Sequence, residues 1–385
     1  MSFADIRAGV VGVGFIGLAH VEALRRLGVD VRGVVGSSPE RARAKAESSA
    51  LPRVYDNLDE LLADPEIDVV HVASPNHVHY DQVKQVLGAS KHVVCEKPLA
   101  LDSTQTADLV STAKAAGLIN AVCFNLRFYP LCHQMRAMVA QGTIGEPRFL
   151  TGAYLQDWLL LETDWNWRLV PSQAGELRAV ADIGSHWLDL AGFISGRRII
   201  EVMAELHTFV PTRRHPPGPV ESFAVVSTNE ELIEESMSSD DAASVMLRFE
   251  GGARGLVAIS QVAAGRRNSI TLEVDSSESA LAWSSADPEQ LWIGHRGRPN
   301  ELLARDPALV DETARRIIGY PGGHVEGYPD TFRALFGEVY RHIQDPSGDA
   351  TYPTFADGHE VLLVTEAIAQ SHRTQTWTNV KRSET

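Results

Sequence analysis

Continuous apolar runs separated by helical patterns, followed by a long stretch of strand-like segments, predict an α/β chain in two parts. Residues 1–125 read as a Rossmann-type, doubly wound parallel sheet. Residues 126–385 read as an α+β domain on a large, mostly antiparallel open sheet. At 385 residues the chain is longer than one hydrophobic core usually supports, which agrees with two domains.

The N-terminal runs are Ala8–Val13, Val31–Val35, Val69–Ala73, His92–Cys95 and Ile119–Phe124. They are unbroken rather than alternating, the pattern of parallel strands covered on both faces. After the first run, Phe15, Ala19, Ala23 and Leu27 recur every fourth residue, with Ile16 and Leu24 beside them. A second helical segment holds Ala107, Val110, Ala113 and Lys114, with Asp102 or Ser103 as its cap and Gly117 to close it. Strand–helix–strand repeats at this spacing imply right-handed crossovers.

Beyond residue 125 the pattern changes. "GEPRFLTGAYL", "ASVMLRFEGGARGLVAISQVA" and "NSITLEVDSSESALAW" read as antiparallel strands, with Glu250-Gly251-Gly252-Ala253 as a hairpin turn. "PTRRHPPGPVES" and "NEELIEESMSSDD" read as loops or an insertion, and a helix at about Asp357–Ser371 ends the pattern.

Composition narrows the function class. The 44% hydrophobic and 22% charged content is that of an ordinary globular protein. A net charge of −15 repels nucleic acid and anionic lipid, so neither is an expected partner. No stretch is long and apolar enough to span a membrane, and the opening residues lack the features of a signal peptide. Cys95, Cys123 and Cys132 show no metal-ligand spacing. A reduced, cytoplasmic protein without a metal is expected.

The first chemistry-bearing motif is "AGVVGVGFIGLAH", where Gly12, Gly14 and Gly17 form G-x-G-x-x-G. The glycines serve a tight turn, close approach of backbone to a pyrophosphate, and close helix–strand contact. Phe15 and Ile16, at the helix start, complete a phosphate cradle at the positive end of the helix dipole. A strand precedes the motif and an amphipathic helix follows, which is the context dinucleotide binding requires. An acidic residue normally stands about 20 residues on to hold the ribose 2′-hydroxyl. This chain has Gly36, Ser37 and Ser38 there instead. A serine tolerates a 2′-phosphate better, and Arg41 or Arg43 can pair with one or simply lie solvated. Both NAD and NADP therefore remain open.

The second motif is "HVVCEKPLA", in which Glu96-Lys97-Pro98 follows a strand on the same sheet edge. A solvated turn would explain these residues alone; beside a nicotinamide they gain a role. The turn "SPNHVHY" ends another strand there, so Ser74, Asn76 and His77 become cofactor candidates, Asn76 equally as a helix cap.

With these motifs, "NLRFYP" and "ADIGSHWLDL", the sequence resembles the Gfo/Idh/MocA family of oxidoreductases (glucose–fructose oxidoreductase, inositol dehydrogenase and relatives) over essentially its whole length. The combination of EKP with D-x-x-x-H is specific to the family; each piece alone is not. The resemblance implies a catalytic set of Lys97, Asp182 and His186. The chemistry suits them: oxidising a secondary alcohol requires a base for the hydroxyl proton, and a lysine beside a cationic nicotinamide is driven toward neutrality. His186 can share the proton, and Asp182, one turn earlier, can orient the imidazole. A plain i,i+4 contact is the alternative for that pair.

"AYLQDWLLLETDWNWRL" offers a sugar platform through Tyr154, Trp158, Trp165, Trp167 and Arg168, although tryptophans are usually well buried and at least one should be core. Arg127 and His324 are further substrate candidates. The arginines weakly favour an acidic or phosphorylated sugar. The expected activity is an NAD(P)-dependent dehydrogenase or reductase of a sugar, cyclitol or related polyol. The alternatives are a redox-assisted glycosidase and a non-catalytic dinucleotide-sensing regulator. Apolar residues on both faces of "ASVMLRFE" and "RGLVAISQV" lead to the expectation of a homodimer or homotetramer.

Overall fold

The computed structural model describes residues 3–51, 53–218, 220 and 231–381. Parts of the two segments read as loops, including Pro219, Glu221, Ser222, Asn229 and Glu230, lie outside the described residues. The chain divides into two compact units, Met1–Asn125 with Tyr328–Glu360, and Leu126–Gly327 with Val361–Thr385.

The first unit is built on strands β1 (Arg7–Val11), β2 (Asp30–Val35), β3 (Val69–Val72), β4 (His92–Cys95) and β5 (Asn120–Val122). All pair in parallel, in the order β2-β1-β3-β4-β5. The unbroken apolar runs follow from this placement: Val10, Val34, Val69, Val70, Val93 and Val94 are fully enclosed. The strand order reverses between β1 and β3, which makes their carboxyl ends the switch point where ligands bind in such sheets. The helix Ser103–Ala116 is capped by Asp102, which accepts from the Gln105 N–H, and closed by Gly117 at φ +63°.

The division at residue 125 therefore omits a return segment. The helix Tyr328–Gln344 buries Phe332, Phe336 and Tyr340 in the first unit. Phe336 meets His20 and His71 with ring centroids 4.7 Å from each. That apolar face needs a partner, and it finds one about 300 residues earlier in the chain.

The second unit carries β6 (Pro147–Leu155), β7 (Ile199–His207), β8 (Thr212–His215), β9 (Ile233–Ser236), β10 (Ala242–Phe249), β11 (Arg254–Ser260), β12 (Ser269–Ser276), β13 (Ser279–Ser284), β14 (Gln290–His295), β15 (Glu301–Ala304) and β16 (Thr378–Asn379). Nine of them form one sheet in the order β15-β14-β13-β12-β6-β11-β10-β7-β16. Only β6 and β11 run parallel within it; the other pairs are antiparallel. Residues 250–253 make the turn between β10 and β11, with Gly251 at φ +74°. The segments expected to be loops instead contribute β8 and β9, a separate antiparallel pair. Met246, Leu256 and Phe149 are exposed on the large sheet. Among the described residues no helix is long and apolar enough to cross a membrane.

Candidate active site

The glycine loop has the shape a pyrophosphate requires. Gly12 sits at φ +105°, where a side chain is strained, and a Cβ there would overlap the Ala73 carbonyl. A Cβ at Gly17 would overlap the Gly12 carbonyl, whereas Gly14 faces open space within 4 Å. The helix Phe15–Arg26 starts at Gly14 without a side-chain cap, so its N-terminal turn presents backbone N–H groups as an anion site does. Phe15 is exposed and Ile16 half-buried beside it. The residues present fit a dinucleotide.

At the end of β2, Ser37 is exposed, with Gly36 and Ser38 as its chain neighbours. Ser38 serves the fold instead, because its hydroxyl accepts from the Arg41 N–H at 3.3 Å and caps the next helix. Arg41 is exposed, while Arg43 pairs with Asp56 at 3.0 Å. At the end of β3, Ser74 donates to Gln82 at 2.5 Å, Asn76 is buried and His77 exposed. His79, not anticipated from sequence, joins two turns of this edge. Its Nδ1 lies 2.8 Å from the Pro98 carbonyl and its Nε2 2.8 Å from that of Ser74.

Glu96 and Lys97 follow β4, with a cis peptide between Lys97 and Pro98. Lys97 is half-buried, and its backbone N–H donates to Glu96 Oε2 at 3.1 Å. Glu96 Oε1 lies 3.2 Å from His20 Nε2. Burial alone would raise the Glu96 pKa, but the hydrogen bond and charge of His20, the charge of Lys97 and a Cys123 hydrogen bond outweigh it and pull it down to about 2. His20 Nδ1 in turn meets His71 Nδ1 at 3.1 Å, and His71 Nε2 meets the Tyr340 hydroxyl at 3.0 Å. Glu96 is thus less a cofactor ligand than the anchor of the lysine turn. His20, Glu96 and Cys123 bring donor atoms that also suit metals within 4.8 Å of one another, a grouping that sequence spacing does not reveal. Their mutual hydrogen bonds account for the grouping. His20 had a signal in "GFIGLAH": a histidine on the buried face of the first helix.

In the second unit, Asp182 lies in a π-helical turn, Val180–Gly184, that leads into the helix Ser185–Ser195 carrying His186. Such turns often mark functional positions, because the widened turn re-aims side chains. Arg168 Nε donates to Asp182 Oδ1 at 3.1 Å, and Gln261 Nε2 donates to Oδ2 at 2.8 Å. His186 is buried, with its ring centroid 6.3 Å from that of Tyr154.

The substrate candidates separate. Trp158 and Trp167 are half-buried, and the Arg168 guanidinium lies over both rings, 5.7 and 4.4 Å from their centroids. Trp165 belongs to the core with Leu159 and Leu169, stacked on His215 at 3.8 Å, so it is not an open sugar face. Tyr154 is buried, and its hydroxyl donates to Asn268 at 2.9 Å. Arg127 forms a two-point ion pair with Asp189, at 2.7 and 2.5 Å, which fixes it within the fold. His324 is exposed, with Nδ1 3.3 Å from the Gly322 carbonyl.

Two family models match the chain in succession. Residues 6–124 match the oxidoreductase family, NAD-binding Rossmann fold, and residues 132–281 match the GFO/IDH/MocA C-terminal domain. The chain belongs to the Gfo/Idh/MocA family. As a Gfo/Idh/MocA oxidoreductase it carries an NAD-binding domain, as the glycine loop leads one to expect. It is 28% identical to levoglucosan dehydrogenase of Pseudarthrobacter phenanthrenivorans over 98% of both chains. It is also 28% identical to myo-inositol 2-dehydrogenase of Thermotoga maritima, over 95% of this chain and 96% of that one. Among solved structures, levoglucosan dehydrogenase in complex with NADH and levoglucosan superposes with a TM-score of 0.86 at 27% identity, covering 98% of this chain and 99% of the other.

Proposed function

We propose that the chain is an NAD(P)-dependent dehydrogenase or reductase of a neutral sugar, cyclitol or related polyol. One observation carries the substrate class: both arginines offered as substrate contacts are already neutralised by carboxylates. Arg168 pairs with Asp182, and Arg127 pairs with Asp189. An anionic sugar drawn to either guanidinium would compete with a carboxylate that already holds it, and in the Arg127 pair that carboxylate, Asp189, is buried. The half-buried indoles of Trp158 and Trp167 suit the apolar C–H face of a sugar ring. The relatives support the class, with levoglucosan and myo-inositol dehydrogenases among them.

Bound NAD(P) would supply the hydride-accepting ring. The chain's own residues do the rest in this reading. The Gly12–Gly17 loop holds the pyrophosphate. Glu96 fixes the backbone of Lys97, whose Nζ takes the alcohol proton. His186 shares that proton, and Asp182, held on both oxygens, orients the acid–base group. Serine at position 37 and the exposed Arg41 support acceptance of NADP as well as NAD. Three free, buried cysteines suit a reducing compartment, the cytoplasm. The apolar side chains on the large sheet support a homodimer or homotetramer.

The deciding experiment is a panel of neutral sugars and cyclitols, levoglucosan and myo-inositol included, and of acidic and phosphorylated sugars, run with NAD and NADP and read by nicotinamide absorbance. Turnover of neutral substrates supports the reading. Turnover confined to anionic ones overturns the substrate class, and release of an aglycone without net NAD(P)H would indicate a glycosidase.

A further inference from the structure

Resting on that functional reading, we infer that the paired strands β8 and β9 form a specificity element, in which Arg213, braced on Asp241, is a positioning residue for the loop bearing Trp158, Trp167 and Arg168. The two strands form a sheet of their own, separate from the large one. Its strand β8 places three consecutive side chains against that loop.

Arg213 is the centre. Its guanidinium is fully enclosed and holds three carbonyls of the loop: Leu159 at 2.8 Å, Leu161 at 2.9 Å and Asp164 at 3.2 Å. Beside it, the Arg214 N–H donates to the Glu162 carbonyl at 2.9 Å, and its side chain pairs with the Glu162 carboxylate at 3.1 Å. His215 stacks on Trp165, with ring planes only 12° apart. Leu159, Trp165 and Leu169 form the apolar underside, with Val220 and Met237 packed on it. Trp158 packs on this same cluster, and one guanidinium, that of Arg168, lies over both half-buried indoles, Trp158 and Trp167.

The same buried charge reaches the turn that carries Asp182. Asp241 Oδ1 accepts from Arg213 at 3.1 Å and also from Arg178, while its Oδ2 accepts from the Val210 N–H at 2.7 Å. Asp240, its neighbour, accepts from the Arg178 N–H at 2.6 Å and the Val180 N–H at 2.8 Å, which pins the start of the π-helical turn. The Asp241 carbonyl accepts from the backbone of Gln261, whose side chain holds Asp182. Loop and turn thus hang on one pair of aspartates. A guanidinium is needed at 213 because three divergent carbonyls and a carboxylate exceed what one ammonium's three protons can serve.

The test compares wild type with Arg213→Met and, as a milder change that strands no buried charge, His215→Ala. Readouts are kcat and KM for a neutral sugar identified as a substrate, NADH affinity by fluorescence titration, and amide hydrogen exchange over residues 158–169. A loosened platform predicts KM raised about tenfold or more, NADH affinity unchanged within about twofold, and faster exchange confined to the loop. A variant that is merely less stable would lose active fraction, lowering kcat with KM intact. Wild-type KM and wild-type loop exchange in a folded variant overturn the inference. Should the wild-type protein turn over no sugar at all, the functional reading fails, and loop exchange alone still decides whether the β8–β9 pair positions the loop.

Discussion

Replacing Glu96 by glutamine tests whether the lysine turn is anchored by a charge or merely by shape. In the fold, this carboxylate is buried, faces His20 Nε2 at 3.2 Å and accepts the Lys97 N–H at 3.1 Å. Its pKa lies at about 2, against 4.5 for an ordinary glutamate. A depression of that size corresponds to roughly 3 kcal/mol of stabilisation. Because the folded-state pKa is depressed, that contribution is complete above about pH 4.5 and is lost as pH falls toward 2. By linkage less than half of it remains at pH 3. Glutamine keeps the shape, but its amide can accept from one neighbour only while pointing a donor at the other. Denaturant unfolding of wild type and Glu96→Gln at pH 7 and pH 3, followed by near-ultraviolet circular dichroism, should show a gap of about 3 kcal/mol that narrows by more than half on acidification. Turnover should fall as well, since Lys97 loses the anchor of its backbone. A gap that stays constant between the two pH values would show that the carboxylate is not held ionised, and the anchoring argument would fail.

Lys97→Met should lower turnover ~10²–10⁴-fold while leaving dinucleotide affinity nearly intact, and His186→Asn should also lower it, with less than additive loss in the double variant. Near-wild-type rates for Lys97→Met on a verified substrate would return EKP to an ordinary turn. Ser37→Asp should shift preference toward NAD, because a carboxylate binds the 2′-hydroxyl and repels a 2′-phosphate; an unchanged ratio of NAD to NADP efficiency would refute that placement. His133, between Phe128 and Phe193 at 5.1 Å from each, has its pKa pushed down to about 3 by burial and by Arg127 and Arg316. A base depressed on folding gives stability that is complete above about pH 6.5 and lost as pH falls, so His133→Phe should flatten the acid limb of the stability profile between about pH 6 and pH 4. Sedimentation at micromolar concentration should show a dimer or tetramer, and monomer alone would leave Phe149, Met246 and Leu256 without the partner they imply.

The features legible in the sequence are those fixed by residues close together in the chain. Unbroken apolar runs announce parallel strands because each strand's burial is written within a few consecutive residues. Gly12, Gly14 and Gly17 announce the cradle because a tight turn and a helix start are local, as is the Asp102 cap that accepts from the Gln105 N–H. The place of Glu96-Lys97-Pro98 at a strand end was legible for the same reason.

The tertiary structure decided which groups meet. The helix Tyr328–Gln344 belongs with the first sheet because its apolar face packs on rings distant in sequence. The parallel pairing of β6 with β11 depends on topology that no turn between them can encode. Most of all, the fold decided which polar side chains remain available. In sequence Arg127, Arg168 and Arg213 look alike, and so do Trp158 and Trp165. Arg127 is paired with Asp189, Arg168 with Asp182, and the fully buried Arg213 with Asp241. A buried charge must find a partner across the fold, and the partners here stand 62, 14 and 28 residues away along the chain. Local periodicity carries no record of such distances.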